Sequence, residues 1–175
     1  MPTSAHRAEC RSEPHRYRFL SVWDLPAPPA RVYGVLADPR TYPAWWPEIR
    51  EVRQLDEHSG VMRFRSLLPF ELAVVAREAR QDPAAGVLEA RLTGDLDGLT
   101  RWTVTGRGDG TAVAVFFEDV RVRKPLLRRL AVPGRPAFRA NHALMMLHGR
   151  AGLAHYLSVR SIGLDQWAAS PYGRP

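Results

Sequence analysis

The feature that most constrains this chain is a change of hydrophobic period part-way along it. Between Ile49 and Val122, apolar and polar residues alternate in six runs: Ile49–Asp56, Val61–Leu68, Phe70–Asp82, Val87–Asp95, Gly98–Gly106 and Thr111–Val122. From Ala137 to Val159 they recur every third or fourth residue, with no proline in the stretch. A period of two sends alternate side chains to opposite faces of a strand, whereas a period near 3.6 gathers them on one helix face. The separators Ser59-Gly60, Asp82-Pro83, Asp97-Gly98 and Asp109-Gly110 are turn chemistry, and strands joined by such short links run antiparallel. The Leu68-Pro69-Phe70 junction carries no tight-turn signal and predicts a bend or bulge.

Upstream, Tyr17–Leu25 is rich in aromatic and β-branched residues and reads as a first strand. Pro26, Pro28 and Pro29 lead into a short helix over Ala30–Ala37, with Val32, Val35 and Leu36 on one face. Asp38-Pro39 opens a second short helical segment through Trp45, which Pro47 closes. From Pro125 the pattern turns helical again, interrupted by Pro133-Gly134 and Pro136. The long final helix has an apolar stripe that needs cover. The predicted fold is α+β: a curved seven-stranded antiparallel sheet wrapped around the C-terminal helix, with two short helices after the first strand. One domain over residues 16–160 follows, flanked by tails 1–15 and 161–175 whose composition predicts fraying.

Composition narrows the function. With 45% hydrophobic and 25% charged residues, the 175-residue chain can bury a core. It has no apolar run of the roughly 20 residues that span a bilayer, and residues 1–15 lack the apolar core of a secretory signal, so a cytoplasmic protein is expected. Transient membrane contact stays open, as does the choice between monomer and homodimer. Cys10 is the sole cysteine, which excludes a disulfide within one chain. The formal charge of +7 is almost all arginine, Lys124 being the only lysine. These arginines are spread along the chain and alternate with apolar residues, as in Met62-Arg63-Phe64-Arg65. That is the pattern of solvent-facing strand positions and argues against a dedicated nucleic-acid surface. No phosphate loop, His-x-x-x-His pair or Gly-x-Ser-x-Gly elbow occurs; no metal and no cofactor are expected.

Three segments carry a resemblance. Val32-Tyr33-Gly34-Val35-Leu36-Ala37-Asp38-Pro39 through Tyr42-Pro43-Ala44-Trp45-Trp46-Pro47 resembles the entry signature of the polyketide cyclase/dehydrase and lipid-transport superfamily, the START-related (SRPBCC) helix-grip proteins. Gly94-Asp95-Leu96-Asp97-Gly98 with Arg101-Trp102-Thr103-Val104 and Asp109-Gly110-Thr111 is similar to it too, as is Arg139-Ala140-Asn141-His142 to Leu157. The resemblance spans about residues 17–158. It implies the fold and a pocket between sheet and helix; relatives include lipid carriers, hormone receptors, aromatase/cyclases and chaperone activators, so it implies no single reaction.

On the terminal helix, Phe138, His142, Met145, Gly149, Leu153 and Tyr156 share a face that should look into the sheet. The stripe is either packed core or a cavity wall, with Gly149 leaving room and methionines re-packing around a guest. His142 could orient a ligand or move protons, or it is a core histidine satisfied by a carbonyl or carboxylate. Asn141 beside it and Met146 join the expected ligand contacts. Trp102 and Val104 should point inward, as should Phe64. On the last strand Val113, Val115 and Phe117 share a face, and if the alternation persists Asp119 follows them inward as a partner for His142. A bulge at Phe116-Phe117 would reverse this. Glu118 and Asp119, as strand neighbours, point oppositely and cannot form a carboxylate dyad. Tyr42, Trp45 and Trp46 should cover one end of the cavity, one indole inward and the other at the rim.

The first functional reading is binding or transport of a hydrophobic small molecule (a lipid, polyketide or related compound) in that cavity. The second is a polyketide cyclase or dehydratase with His142, oriented by Asp119, as catalytic group. A third is a protein-interaction or chaperone-cofactor module, which needs an exposed apolar patch and no enclosed cavity.

Overall fold

A computed structural model describes residues 15–65, 70–130 and 133–168 of the chain. Strand β1 (Arg16–Leu25) leads through helix α1 (Pro29–Leu36) and a 3₁₀ turn (Pro39–Ala44) into six strands. These are β2 (Ile49–Asp56), β3 (Ser59–Arg65), β4 (Glu71–Asp82), β5 (Val87–Gly94), β6 (Leu96–Gly106) and β7 (Ala112–Val122), followed by α2 (Pro125–Leu130) and α3 (Arg135–Ala168). All seven strands form one sheet in the order β1-β7-β6-β5-β4-β3-β2, and every neighbouring pair is antiparallel. The long connection from β1 to β2 carries the chain from one edge of the sheet to the other. The predicted helix-grip architecture is present, element for element.

Boundaries differ in several places. Strands β3 and β6 begin at Ser59 and Leu96, so Ser59-Gly60 and Asp97-Gly98, expected as turns, lie inside strands. Helix α3 begins at Arg135, with Pro136 in its first turn, where proline sacrifices no hydrogen bond. It runs on to Ala168, into the stretch 161–175 that composition assigned to a tail. The bend expected at Leu68-Pro69-Phe70 lies outside the described residues, as do Cys10 and nearly all of the N-terminal tail.

The Gly94–Gly98 segment is a staple between strands. A Cβ on Gly98 would come within 2.1 Å of the Asp119 carbonyl oxygen, so only glycine lets β6 lie this close to β7. Asp95 accepts the Ala73 amide of β4 at 2.9 Å, and Lys124, just past β7, donates to the same carboxylate oxygen at 3.1 Å. One carboxylate thus ties the middle of the sheet to its exit.

The buried apolar residues fall into two clusters. One gathers Trp23, Val32, Leu36, Trp45, Trp46, Trp102, Leu153 and Leu157 under α1 and the 3₁₀ turn. The other holds Tyr17, Val74, Leu92, Leu96, Val120 and Val122, with Phe138 against it. Met62 and Phe64 of β3 touch both. The outer face of β1 is uncovered at Leu20 and Val22, which are 68% and 56% exposed.

Asp119 lies on the outer face of β7, between two arginines of β1. Arg16 binds both its oxygens at 2.7 Å and Arg18 adds a third bond at 2.8 Å. The hydrogen bond from Arg16 is the main reason the carboxyl is pulled down from 3.8 to about 2, Arg18 assisting against partial burial. A folded-state value below the unfolded one stabilises the fold above pH ~4, and that contribution vanishes as pH falls through about 2. Asp119→Asn should therefore melt at a lower temperature than wild type at pH 7, with the gap closing by about pH 2. Thermal melts followed by circular dichroism across that range check it.

Candidate ligand-binding cavity

Helix α3 divides its apolar stripe between two tasks. Its second half is solid core as far as Leu157: Leu153 and Leu157 are fully buried, and glycines bring the helix hard against the tryptophan-rich segment. A Cβ on Gly152 would stand 1.7 Å from the Trp45 carbonyl oxygen, and one on Gly149 would stand 2.6 Å from the Trp46 indole. Two polar contacts lock the same seam. The Trp46 indole N–H donates to the Met145 carbonyl at 3.0 Å, and Glu48 meets His148 at 2.6 Å. Across the seam, Arg31 of α1 donates to the Leu157 carbonyl at 2.8 Å.

The first half of α3 stands off the sheet. Phe138, Asn141, His142, Met145 and Met146 look into a cavity of about 550 Å³ between the two core clusters. The sheet supplies the remaining walls from Tyr17, Met62, Phe64, Val74, Leu92 and Val120 among others, and the surface is predominantly apolar. This size lies within the range of small-molecule sites.

The polar element of the wall is built from one row across the sheet. Phe19 of β1, Glu118 of β7 and Thr100 of β6 stand in register, and all three line the cavity. His142 sits over that row, its ring stacked on Phe19 at 3.7 Å between centroids and 7° between planes. Its Nε2 lies 3.1 Å from Glu118 Oε2, with the two side chains 17% and 10% exposed. The two groups stand at ion-pair distance, and the stacking on Phe19 sets the plane of the ring. Beside it, Asn141 approaches Met145 sulfur through its amide nitrogen at 3.6 Å, while its buried Oδ1 has no partner.

The expected residues sort as follows. Tyr42, Trp46, Phe64, Trp102, Phe138, Asn141, His142, Met145 and Met146 line the cavity. Val115, Phe117 and Asp119 do not: the parity of β7 is opposite to the one expected, with Ala112, Ala114, Phe116, Glu118, Val120 and Val122 facing in. The reason is register. Trp102 pairs with Phe116 and Trp23 with Ala114, and cross-strand partners share a face. The partner of His142 is thus Glu118, and Asp119 belongs to the outer face. Gly149 leaves no room for a guest, because Trp23 and Trp46 fill that space. Trp45, Val104 and Leu153 are packed core without cavity surface. The Tyr42 hydroxyl turns away from the mouth and donates to the Leu36 carbonyl at 2.7 Å. Burial, with the charge of Asp38, raises its pKa further above the ordinary phenol value. Arg63 faces water as expected, between Glu51 and Glu71.

One end of the cavity opens between the 3₁₀ turn, the β2–β3 turn and β4. Its rim carries Asp38, Asp56, Glu57, Glu78 and Glu89, with Arg40 and Arg80 as the only guanidiniums among the described lining residues. Arg40 is held by Asp38 and Arg80 by Asp82, each at 2.7 Å.

A curved antiparallel sheet gripping a terminal helix over an internal cavity defines a helix-grip protein. Residues 25–145 match the family described as polyketide cyclase / dehydrase and lipid transport, and the chain belongs to that family. No curated protein sequence matches it. Among solved structures it is similar to the Zhui aromatase/cyclase from Streptomyces sp. R1128, with TM-score 0.68 and 17% identity over 84% of this chain and 96% of that one. A START superfamily protein from Mycobacterium smegmatis matches with TM-score 0.63 and 18% identity, over 81% and 97% of the two chains. The major latex-like protein 151 of Panax ginseng shares 7% identity at TM-score 0.62, over 81% and 97%. At such identities these likenesses speak for the fold.

The Glu118–His142 contact should behave as one unit. In a double-mutant cycle with Glu118→Gln and His142→Ala, the stability losses should be non-additive, with a coupling of about 1–3 kcal/mol. Urea titrations of the four proteins measure it.

Proposed function

We propose that this protein binds a hydrophobic small molecule, a lipid, polyketide or related compound, in the cavity between the sheet and the first half of α3. The observation that carries the reading is the split core: two packed clusters with about 550 Å³ of apolar-walled space between them. A fold held together by packing alone gains nothing from such a gap, since interiors normally reach crystal-like density. A guest filling it would gain about 2.5 kcal/mol for each 100 Å² of apolar surface removed from water. Met145 and Met146 can re-pack around guests of different outline. Glu118, His142, Asn141 and Thr100 supply polar groups within a predominantly apolar wall.

Purified protein should bind the neutral fluorophore Nile red, or carry lipid visible by native mass spectrometry. Met62→Trp, which places an indole between the two clusters, should weaken Nile red binding at least about tenfold while leaving the circular dichroism spectrum unchanged. Absence of any bound or bindable apolar molecule would remove the reading.

The Glu118–His142 geometry favours a second reading, a cyclase or dehydratase acting on a poly-β-ketone. An imidazole oriented by a carboxylate in a cavity wall is the arrangement of a general base that becomes a general acid later in the same cycle. In that case the cavity holds the chain folded for ring closure while His142 moves protons. His142→Ala should then cost about 10²–10⁴ in turnover of such a substrate, followed by absorbance of the cyclised product. Unchanged turnover would exclude that role.

A further inference from the structure

The chain carries 25 Lys and Arg against 18 Asp and Glu, yet its cavity reverses that balance. At the rim, carboxylates of the 3₁₀ entry, the β2–β3 turn, β4 and β5 outnumber the two guanidiniums of the lining; Arg40 and Arg80 are bound to carboxylates, while Asp38, Asp56 and Glu89 are held by Arg40, Arg77 and Arg101. Deeper in, Glu118 is the one charged carboxyl of the wall, and no lysine or arginine among the described lining residues reaches it.

The interior also presents acceptors, with the Thr100 hydroxyl beside them able to donate or accept. Glu118 lines the cavity with Oε2 3.1 Å from His142 Nε2, and no hydrogen bond to its carboxylate is present among the described residues. Asn141, in the same wall, has an amide oxygen with no partner. Such a wall asks its guest for a donor. A carboxylate, sulfonate or phosphate brought against it would be stripped of water, would meet no unpaired lysine or arginine among the described lining residues, and would face the Glu118 carboxyl in the interior.

Resting on the ligand-binding reading above, we propose that the cavity selects apolar molecules that are uncharged or cationic, carry a hydroxyl or amine as their polar end, and donate it to Glu118. Anionic amphiphiles of the same length are rejected. Selection is thus electrostatic at the polar end and permissive along the apolar body, which fits a wall containing two methionines.

Three ligands that share one chain and differ only at the head test this: dodecanol, dodecylamine and dodecanoate, each displacing Nile red at pH 7.4 below its micelle concentration. Dodecanol and dodecylamine should compete at concentrations at least tenfold lower than dodecanoate. Glu118→Gln, nearly isosteric and neutral, should narrow the gap between dodecanol and dodecanoate several-fold, with its folding confirmed by an unaltered circular dichroism spectrum. Dodecanoate competing as well as dodecanol in wild type would overturn the proposal while leaving ligand binding intact. A gap unchanged in Glu118→Gln would overturn the role given to that carboxylate. If the protein neither binds Nile red nor carries lipid, the ligand-binding reading fails and this inference falls with it.

Discussion

Everything in this fold depends on how the second half of α3 meets the tryptophan-rich segment. Gly149 and Gly152 remove the side chains that would hold the helix away, so the Trp45 backbone and the Trp46 indole press directly onto it. Packing of that density at one end fixes both the axis and the distance of the helix. The sheet, curved and twisted as antiparallel sheets are, cannot follow the helix along its whole length. The helix is rigid over its hydrogen-bonded turns, so anchoring one end sets the stand-off at the other. The cavity is the geometric consequence, and the residues opposite it, Phe138 to Met146, become wall.

That division explains which parts of the architecture were legible in sequence. The change of period located every strand, most ends to within a residue or two, because that signal is local and has one physical cause, whereas the turn pairs Ser59-Gly60 and Asp97-Gly98 fall inside β3 and β6. The stripe on α3 was equally visible, but its partition was not. Phe138 and Leu153 are both apolar and on the same face; what separates them is the approach of Trp45 and Trp46, a contact about a hundred residues distant in sequence. The glycines were the available signal. Two small residues three apart on a helix mark close approach of backbone more readily than space for a guest.

Strand β7 shows a different kind of ambiguity. Its two faces read almost alike: Ala112, Ala114, Phe116 and Glu118 against Val113, Val115, Phe117 and Asp119. Each face has a phenylalanine followed two residues later by an acid, so hydrophobicity cannot choose between them. Size can. The inward faces of β1 and β6 present Trp23 and Trp102, which stack edge-to-face with centroids 4.7 Å apart. Indoles of that bulk on both flanks require small residues on the strand between them, and the alanine-bearing face meets that need. Ala114, paired with both Trp23 and Val104, is completely buried.

The adjacent acids then acquire opposite duties from the faces they occupy. Asp119 is met by two arginines in partial contact with water, where charge-assisted hydrogen bonds hold strand β1 to β7 at modest desolvation cost. Glu118 is set within an apolar wall, where a carboxylate with only one protein partner costs more than it returns. A fold seeking stability alone would place an apolar residue there, flush with Phe116 and Val120. A carboxylate in that position, beside His142 and lining the cavity, is what sets this stretch of wall apart from packed core.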